Sequence, residues 1–87
     1  MKQLLHFTAD WCQPCKKIKP VIESYILENS DIEYIQVNVD EDHARTMEYA
    51  IRSVPTLIVL TDNEITNRHT GVITFGELDQ LINNIPL

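Results

Sequence analysis

The sequence of 87 residues predicts a single α/β domain with the element order βαβαββα. Short apolar runs of strand length alternate with stretches whose apolar residues recur at helical spacing. The last two strand-like runs are separated only by a turn of Thr, Asp, Asn and Glu, which predicts a hairpin. No linker, internal repeat or low-complexity segment interrupts this pattern. We therefore expect one domain over residues 1–87.

Four segments have the features of strands. Residues 2–8 are short and apolar enough for a buried strand, and residues 32–39 alternate polar and apolar side chains. Residues 54–60 begin with a Val-Pro pair, a position that proline tolerates because it has no amide donor to offer the sheet. The hairpin turn then leads into a fourth strand over residues 65–70.

Two of the three predicted helices have clear signals at their first residues. Pro14 fits the first turn of a helix that ends near Asn29, because no amide donor is needed at that position. Thr74 and Glu77 have the spacing of a capping box at the start of the last helix. The apolar stripe that follows predicts a helix to the C-terminus, and it consists of Leu78, Leu81, Ile82 and Ile85.

The middle helix is predicted over residues 41–51. Asp40 is the expected N-cap, since aspartate is among the preferred residues at that position. Ala44, Met47 and Ile51 are expected to form the apolar side of this helix.

The charge balance argues against two classes of partner. The formal net charge is -6 and the sequence pI is about 4.8, so the protein repels phosphate backbones and anionic membrane surfaces. The apolar run at the start is too short for a signal peptide, and no stretch has the length of a membrane-spanning helix. We therefore expect a cytoplasmic monomer that binds neither nucleic acid nor membranes.

The two cysteines, Cys12 and Cys15, are the feature with chemical consequences. A disulfide between them closes only a four-residue ring, which gives about 2 kcal/mol of stabilisation, so the pair is better suited to redox chemistry than to holding the fold together. The helix predicted to start here directs its free amides and positive dipole end toward Cys12, which favours a thiolate at that sulfur. We expect the disulfide between them to be accessible. We also expect Cys12 to attack the substrate disulfide and Cys15, one turn later in the helix, to resolve the mixed disulfide.

A zinc site is the alternative use of a Cys-x-x-Cys motif. The remaining ligands of such a site are missing, because the sequence has no second cysteine pair and because His6, His43 and His69 are scattered along it. We therefore predict no metal ligands.

The segments around the cysteines resemble the thioredoxin family over nearly the whole chain. Trp11-Cys12-Gln13-Pro14-Cys15-Lys16 is similar to the family's Trp-Cys-Gly-Pro-Cys-Lys, and Pro20 matches the proline inside its first conserved helix. Two further segments, residues 37–40 and 53–57, and one glycine, Gly71, match the family in the same order. The resemblance implies a thioredoxin-like three-layer fold with a four-stranded mixed sheet. It also implies that the chain starts at the strand before the active site, without the family's first strand and helix, so that 32–39 lie at a sheet edge.

The resemblance also implies a substrate groove beside Cys12. Val54, a cis Pro55, Thr70 and Gly71 would line it and bind an extended segment through main-chain hydrogen bonds. The residues that flank the sulfurs would complete the binding surface, and these are Trp11, Gln13 and Pro14. The implied partners are proteins with disulfides and a recycling reductase such as thioredoxin reductase, and no bound cofactor is expected.

The sequence departs from the family at the active site. Gln13 replaces a glycine, and His6 and Gln36 replace a buried aspartate and its lysine partner. We expect His6 and Gln36 to form a neutral hydrogen-bonded pair in place of the ion pair. We also expect His6 to lie beneath the active site and to accept the proton of Cys15 during resolution.

Two other functions remain open on the sequence alone. A glutaredoxin-like use of glutathione is favoured by the short chain and by Ser53-Val54-Pro55, although Gly71 lacks the second glycine and the acidic pair that would bind glutathione. The other alternative is a binding module in which the fold serves as a subunit of another protein's machinery and the cysteines are idle.

Overall fold

A computed structural model, which describes residues 1–83, has a four-stranded mixed sheet and three helices in the order βαβαββα. The elements are β1 (Lys2–Thr8), α1 (Gln13–Glu28), β2 (Glu33–Asn38), α2 (His43–Glu48), β3 (Thr56–Thr61), β4 (Glu64–Thr70) and α3 (Phe75–Asn83). This is the predicted fold class. Ile85, expected in the last helix, lies outside the described residues.

The strand order across the sheet is β2-β1-β3-β4. β1 pairs in parallel with β2 and antiparallel with β3, so β1 and β3 are the two central strands and β2 is at an edge, as expected. β3 and β4 form the predicted hairpin. Its two turn residues are Asp62, with a φ of 52°, and Asn63, with a φ of 71°. A two-residue hairpin turn requires positive φ at such positions, and Asp and Asn tolerate it.

The two faces of the sheet are covered differently, by α1 and α3 on one face and by the segment that follows α2 on the other. Alternate residues of β1 point to opposite faces, so Leu4 packs against Ile18 and Ile22 of α1 while Phe7 packs in a second cluster on the other face. Two residues of α3 join the first cluster, Leu78 and Ile82. The three layers place the N-terminal end of α1 next to the carboxyl end of β1, where the two cysteines lie.

The capping signals at α1 and α3 predicted the start of both helices. Pro14 lies in the first turn of α1, and the helix continues through Pro20. Before α3, Thr74 Oγ1 accepts from the Glu77 amide at 3.2 Å. Glu77 Oε1 accepts in turn from the Thr74 amide at 3.0 Å. These two reciprocal bonds are those of a capping box.

The prediction for α2 was wrong in its bounds, its cap and its apolar face. The helix begins later because Asp42, not Asp40, accepts from the Arg45 amide at 3.1 Å. It ends before Ala50, whose φ of 53° is incompatible with a continuing helix. Met47 and Ala44 are exposed, and only Ile51, beyond the end of α2, packs against the core.

None of the helices within residues 1–83 is long and apolar enough to cross a membrane.

Candidate active site

Cys12 and Cys15 are joined by a disulfide at the start of α1, with their Cα atoms 5.3 Å apart. Cys12 is the N-cap residue and has extended backbone angles, and its Sγ accepts a hydrogen bond from the Cys15 amide at 3.2 Å. An N-cap side chain normally supplies an oxygen for this purpose. Because the amide and the positive end of the helix dipole both act on Cys12 Sγ, they would also stabilise a negative charge on that sulfur.

The disulfide is less accessible than the sequence predicts. Cys12 and Cys15 are only 3% and 2% exposed. The two cysteines form a small cluster with Ala9, and Val39 and Val54 pack against it. These neighbours come from the ends of β1 and β2 and from the loop before β3, so their approach depends on the tertiary fold.

Trp11 forms an exposed wall beside the disulfide. Its side chain is 67% exposed, and its indole Nε1 donates to Asp40 Oδ2 at 2.9 Å. A cavity of about 140 Å³ lies next to the ring. It is lined by Trp11, Val39, Thr46, Ile51, Arg52, Ser53 and Val54. Gln13 and Pro14 are exposed on the same turn as Trp11.

Two of the predicted groove segments are adjacent. The peptide bond between Val54 and Pro55 is cis, as the resemblance implied. The Gly71 amide donates to the Pro55 carbonyl at 2.9 Å, and Thr70 is paired with Thr56 at the end of the hairpin. Gly71 has a φ of 99°, which side chains rarely tolerate. Val54 therefore lies between the cysteine cluster and this junction.

His6 lies in the centre of the sheet and is 1% exposed. Burial, and next the positive charge of Lys19, lower the pKa of His6 to about 4. The imidazole is therefore neutral at neutral pH. Its Nδ1 is 3.0 Å from the hydroxyl of Tyr34, whereas its Nε2 is buried without a hydrogen-bond partner among residues 1–83.

The expected pair of His6 and Gln36 is not formed. The two residues are aligned across β1 and β2, but Gln36 is exposed on the edge strand and Tyr34 supplies the hydrogen bond instead. A tyrosine is long enough to reach the imidazole from a neighbouring position on the same face of the sheet, and its half-buried ring packs against the apolar core cluster. The predicted partner of His6 was therefore wrong, because Tyr34 and not Gln36 contacts the imidazole.

Sequence reasoning missed three residues that the structure brings to this region. Val39 and Tyr34 lie in the second predicted strand, residues 32–39, whose alternation assigns them to a sheet without showing what they contact. Asp40 is identified from the sequence only as a helix cap. Its hydrogen bond to Trp11 has no local signal, because the two residues are 29 positions apart. No group of three or more His, Cys, Asp or Glu side chains within residues 1–83 is arranged to bind a metal ion.

Comparison with protein families gives a nearly complete match. The family model for thioredoxin matches residues 1–84. The chain belongs to the thioredoxin family. Thioredoxin of Chlamydia caviae is 39% identical over 80 residues, which cover 92% of this chain and 78% of that protein. Thioredoxin of Mycoplasmoides gallisepticum is 35% identical over 81 residues, covering 93% and 81%.

Solved thioredoxin structures have the same fold. A mutant thioredoxin from Halobacterium salinarum aligns with a TM-score of 0.87 and 35% identity, covering 95% of this chain and 73% of that one. Thioredoxin of Fasciola hepatica aligns with a TM-score of 0.89 and 26% identity, covering 98% and 81%. Family membership and the disulfide-forming pair support thiol–disulfide oxidoreductase chemistry, and they favour neither the glutaredoxin-like function nor the idle module.

Proposed function

We propose that this member of the thioredoxin family reduces disulfides in protein substrates by dithiol exchange and is recycled by a reductase such as thioredoxin reductase. The observation that supports this most is the N-cap position of Cys12, whose Sγ accepts the Cys15 amide at 3.2 Å. A sulfur in that position is favoured as a thiolate, which is the reactive form in exchange.

The exchange has two steps. The Cys12 thiolate attacks one sulfur of the substrate disulfide, forming a mixed disulfide and releasing the first substrate thiolate. Cys15 then loses its proton and attacks Cys12 Sγ, which breaks the mixed disulfide and releases the second substrate thiolate. The protein ends with the Cys12–Cys15 disulfide that the structure holds. Two electrons from a reductase return it to the dithiol form.

The surface beside the sulfurs suits an extended segment of substrate. Trp11 and the cavity next to it provide an apolar wall, and the Val54–Pro55 and Thr70–Gly71 segments would contribute main-chain groups along the groove. Gln13 and Pro14 are exposed beside them and would contact the substrate near its disulfide.

His6 would accept the proton that Cys15 loses in the second step. Its burial and its unpartnered Nε2 support this role, because a buried neutral imidazole has a free lone pair on one nitrogen. Loss of this acceptor should slow resolution by up to the 10²- to 10⁴-fold typical of acid–base catalysis and leave the attack by Cys12 unchanged.

Trapping of the mixed disulfide tests the assignment of the two cysteines. Cys15→Ser should accumulate a mixed disulfide with insulin, while the matched variant Cys12→Ser should accumulate none. One equivalent of iodoacetamide on the reduced wild-type protein should label Cys12. Preferential labelling of Cys15, or trapping by Cys12→Ser, would reverse the assignment.

The source of electrons separates this proposal from the two alternatives. Insulin reduction should proceed with NADPH and a thioredoxin reductase and should not be supported by glutathione alone. Support by glutathione would favour the glutaredoxin-like function, and no reduction by either system would favour a binding module. A cytoplasmic location is part of the proposal, and subcellular fractionation of the untagged protein tests it.

A further inference from the structure

His6 and Tyr34 form a polar pair on one face of the sheet. His6 is buried in β1, and Tyr34 is half-buried in the edge strand β2, with its hydroxyl 3.0 Å from His6 Nδ1. The other imidazole nitrogen, Nε2, is buried without a partner among the described residues. The pair therefore connects an unpartnered nitrogen in the core to a hydroxyl near the edge of the sheet.

The position of the imidazole relates it to Cys15. His6 shares a face of β1 with Leu4, which packs against Ile18 and Ile22 of α1. The charge of Lys19 lowers the pKa of His6, so Lys19 acts on the ring from the same helix. Cys15 is one turn before Lys19 and on the same side of α1. His6 thus lies under the first part of the helix that presents the resolving cysteine.

The surroundings of His6 and Tyr34 favour a proton on one nitrogen of His6. Burial, and to a smaller extent the negative charge of Glu23, raise the pKa of Tyr34 to about 12. We expect that charge to draw the hydroxyl hydrogen away from His6, which would leave the lone pairs of the hydroxyl oxygen for an Nδ1–H donor. The opposite arrangement would leave an Nε2–H group buried without an acceptor, and unpaired buried donors are rare.

We propose that Tyr34 is a positioning residue that holds His6 with its proton on Nδ1, and that the two residues form a proton relay from Cys15 to the solvent-exposed sheet edge. This inference rests on the proposed exchange reaction. In the resolving step Cys15 Sγ bonds to Cys12 Sγ, the bond from Cys12 to the substrate sulfur breaks, and the substrate leaves as a thiolate. The Cys15 proton goes to His6 Nε2, the Nδ1 proton goes to Tyr34, and the hydroxyl proton of Tyr34 goes to solvent.

A relay fits this site better than a single acceptor does. A second proton on His6 would make a buried cation beside Lys19, and Leu57, the residue aligned with His6 on β3, offers no charge to stabilise it. Transfer of the Nδ1 proton to Tyr34 in the same step avoids that cation. Because Tyr34 loses its own hydroxyl proton to solvent at the same time, three protons move together, and this is a measurable property.

Nitrogen NMR of the reduced protein tests the tautomer. In ¹⁵N-labelled wild-type protein at pH 7, we expect His6 Nδ1 to be protonated and Nε2 to be unprotonated. In Tyr34→Phe the preference should shift toward Nε2–H. In Glu23→Gln, which changes only an exposed side chain, the Nδ1–H fraction should fall, and an unchanged fraction would contradict the role given to Glu23.

Stopped-flow measurement of the resolving step tests the relay. Tyr34→Phe should slow this step by about tenfold, less than the 10²- to 10⁴-fold for full loss of acid–base catalysis because His6 still accepts the proton, while the attack by Cys12 keeps its rate. The rate in H₂O and D₂O mixtures should show curvature in the wild type, as expected for several protons in motion, and a straight line in Tyr34→Phe, where one proton moves. Tyr25→Phe is the matched control, because that hydroxyl donates to Asp79 at 2.7 Å and has no contact with His6 among those described.

Two outcomes would overturn the inference. One is a wild-type spectrum with the proton on Nε2, which needs no variant to fold. The other is an unchanged tautomer and resolving rate in Tyr34→Phe. Failure of Cys15→Ser to form any mixed disulfide would instead refute the proposed exchange reaction. The NMR result on Tyr34 and the His6 tautomer does not depend on that reaction, so the two failures can be told apart.

Discussion

Replacing His6 by Asn should remove a large part of the acid sensitivity of this protein. The asparagine amide lies where Nδ1 lies in histidine, so it keeps a group that can pair with Tyr34, but it does not titrate between pH 4 and 7. Burial and Lys19 lower the pKa of His6 from 6.5 to about 4 in the folded protein. The unfolded chain, with the higher pKa, therefore binds the proton first as the pH falls.

The sign of the effect follows from this difference. Above about pH 6.5 the imidazole is neutral in the folded and the unfolded chain, so it does not change the free energy of unfolding with pH. Between about pH 6.5 and pH 4 it is protonated only in the unfolded chain, which is stabilised as a result. The interval between the two pKa values, at 1.36 kcal/mol for each pKa unit, corresponds to about 3 kcal/mol. About 2 kcal/mol of this should be lost by pH 5 and the rest near pH 4.

Urea unfolding of the oxidised protein at several pH values between 7 and 4 measures this loss. The informative quantity is the free energy of unfolding of the wild type minus that of His6→Asn at each pH. Carboxylates common to both proteins cancel in this difference, and so does the constant cost of the smaller side chain. His43→Asn is the matched control, because it makes the same substitution at an exposed position and should follow the wild-type curve.

A difference that stays constant from pH 7 to pH 4 would contradict this expectation. It would mean that His6 has the same proton affinity in the folded and unfolded states. That result would also remove the reason for a relay, since His6 could then hold a second proton.

Three other substitutions test the fold around the site, each by urea unfolding at pH 7. Leu78→Ala should lower the free energy of unfolding by about 2 to 5 kcal/mol, because Leu78 is fully buried between the helices and the sheet. Its control, Leu27→Ala on the exposed side of α1, should leave that free energy nearly unchanged. Thr74→Ala should cost about 1 kcal/mol through loss of the capping box. Gly71→Ala should cost about 1 to 3 kcal/mol through its positive φ, since the space around it is open, and should also slow insulin reduction.

Local chemistry explains why most of the fold could be predicted from the sequence. The capping box at Thr74, the proline in the first turn of α1 and the Asp-Asn turn of the hairpin each act over a few neighbouring residues, so their effect does not depend on distant contacts. The second helix shows the limit of this approach. Asp40 and Asp42 are equally good caps, and the choice between them depends on the end of β2, where the Asn38 carbonyl accepts from the Asp42 amide at 2.8 Å.

The candidate site also has one part that can be predicted from consecutive residues and another part that depends on the folded sheet. The two cysteines and their likeness to the thioredoxin motif are visible in a few consecutive residues, and the chain's similarity to thioredoxins supports the chemistry expected of them. The shielding of the disulfide by Val39 and Val54 could not be predicted, because these residues are far from Cys12 in sequence and approach it only when the sheet has formed.

The element types, their order along the chain and the place of the cysteine pair at the start of a helix all follow from the sequence alone, because periodicity and capping are local properties. The bond from Trp11 to Asp40, and the pairing of His6 with Tyr34 in place of Gln36, exist only in the folded sheet. Strand pairing limits which residues are neighbours on a face of the sheet, but side-chain length and packing decide which of them touch. The properties of His6, a buried histidine at the centre of the sheet, therefore depend on a residue 28 positions away.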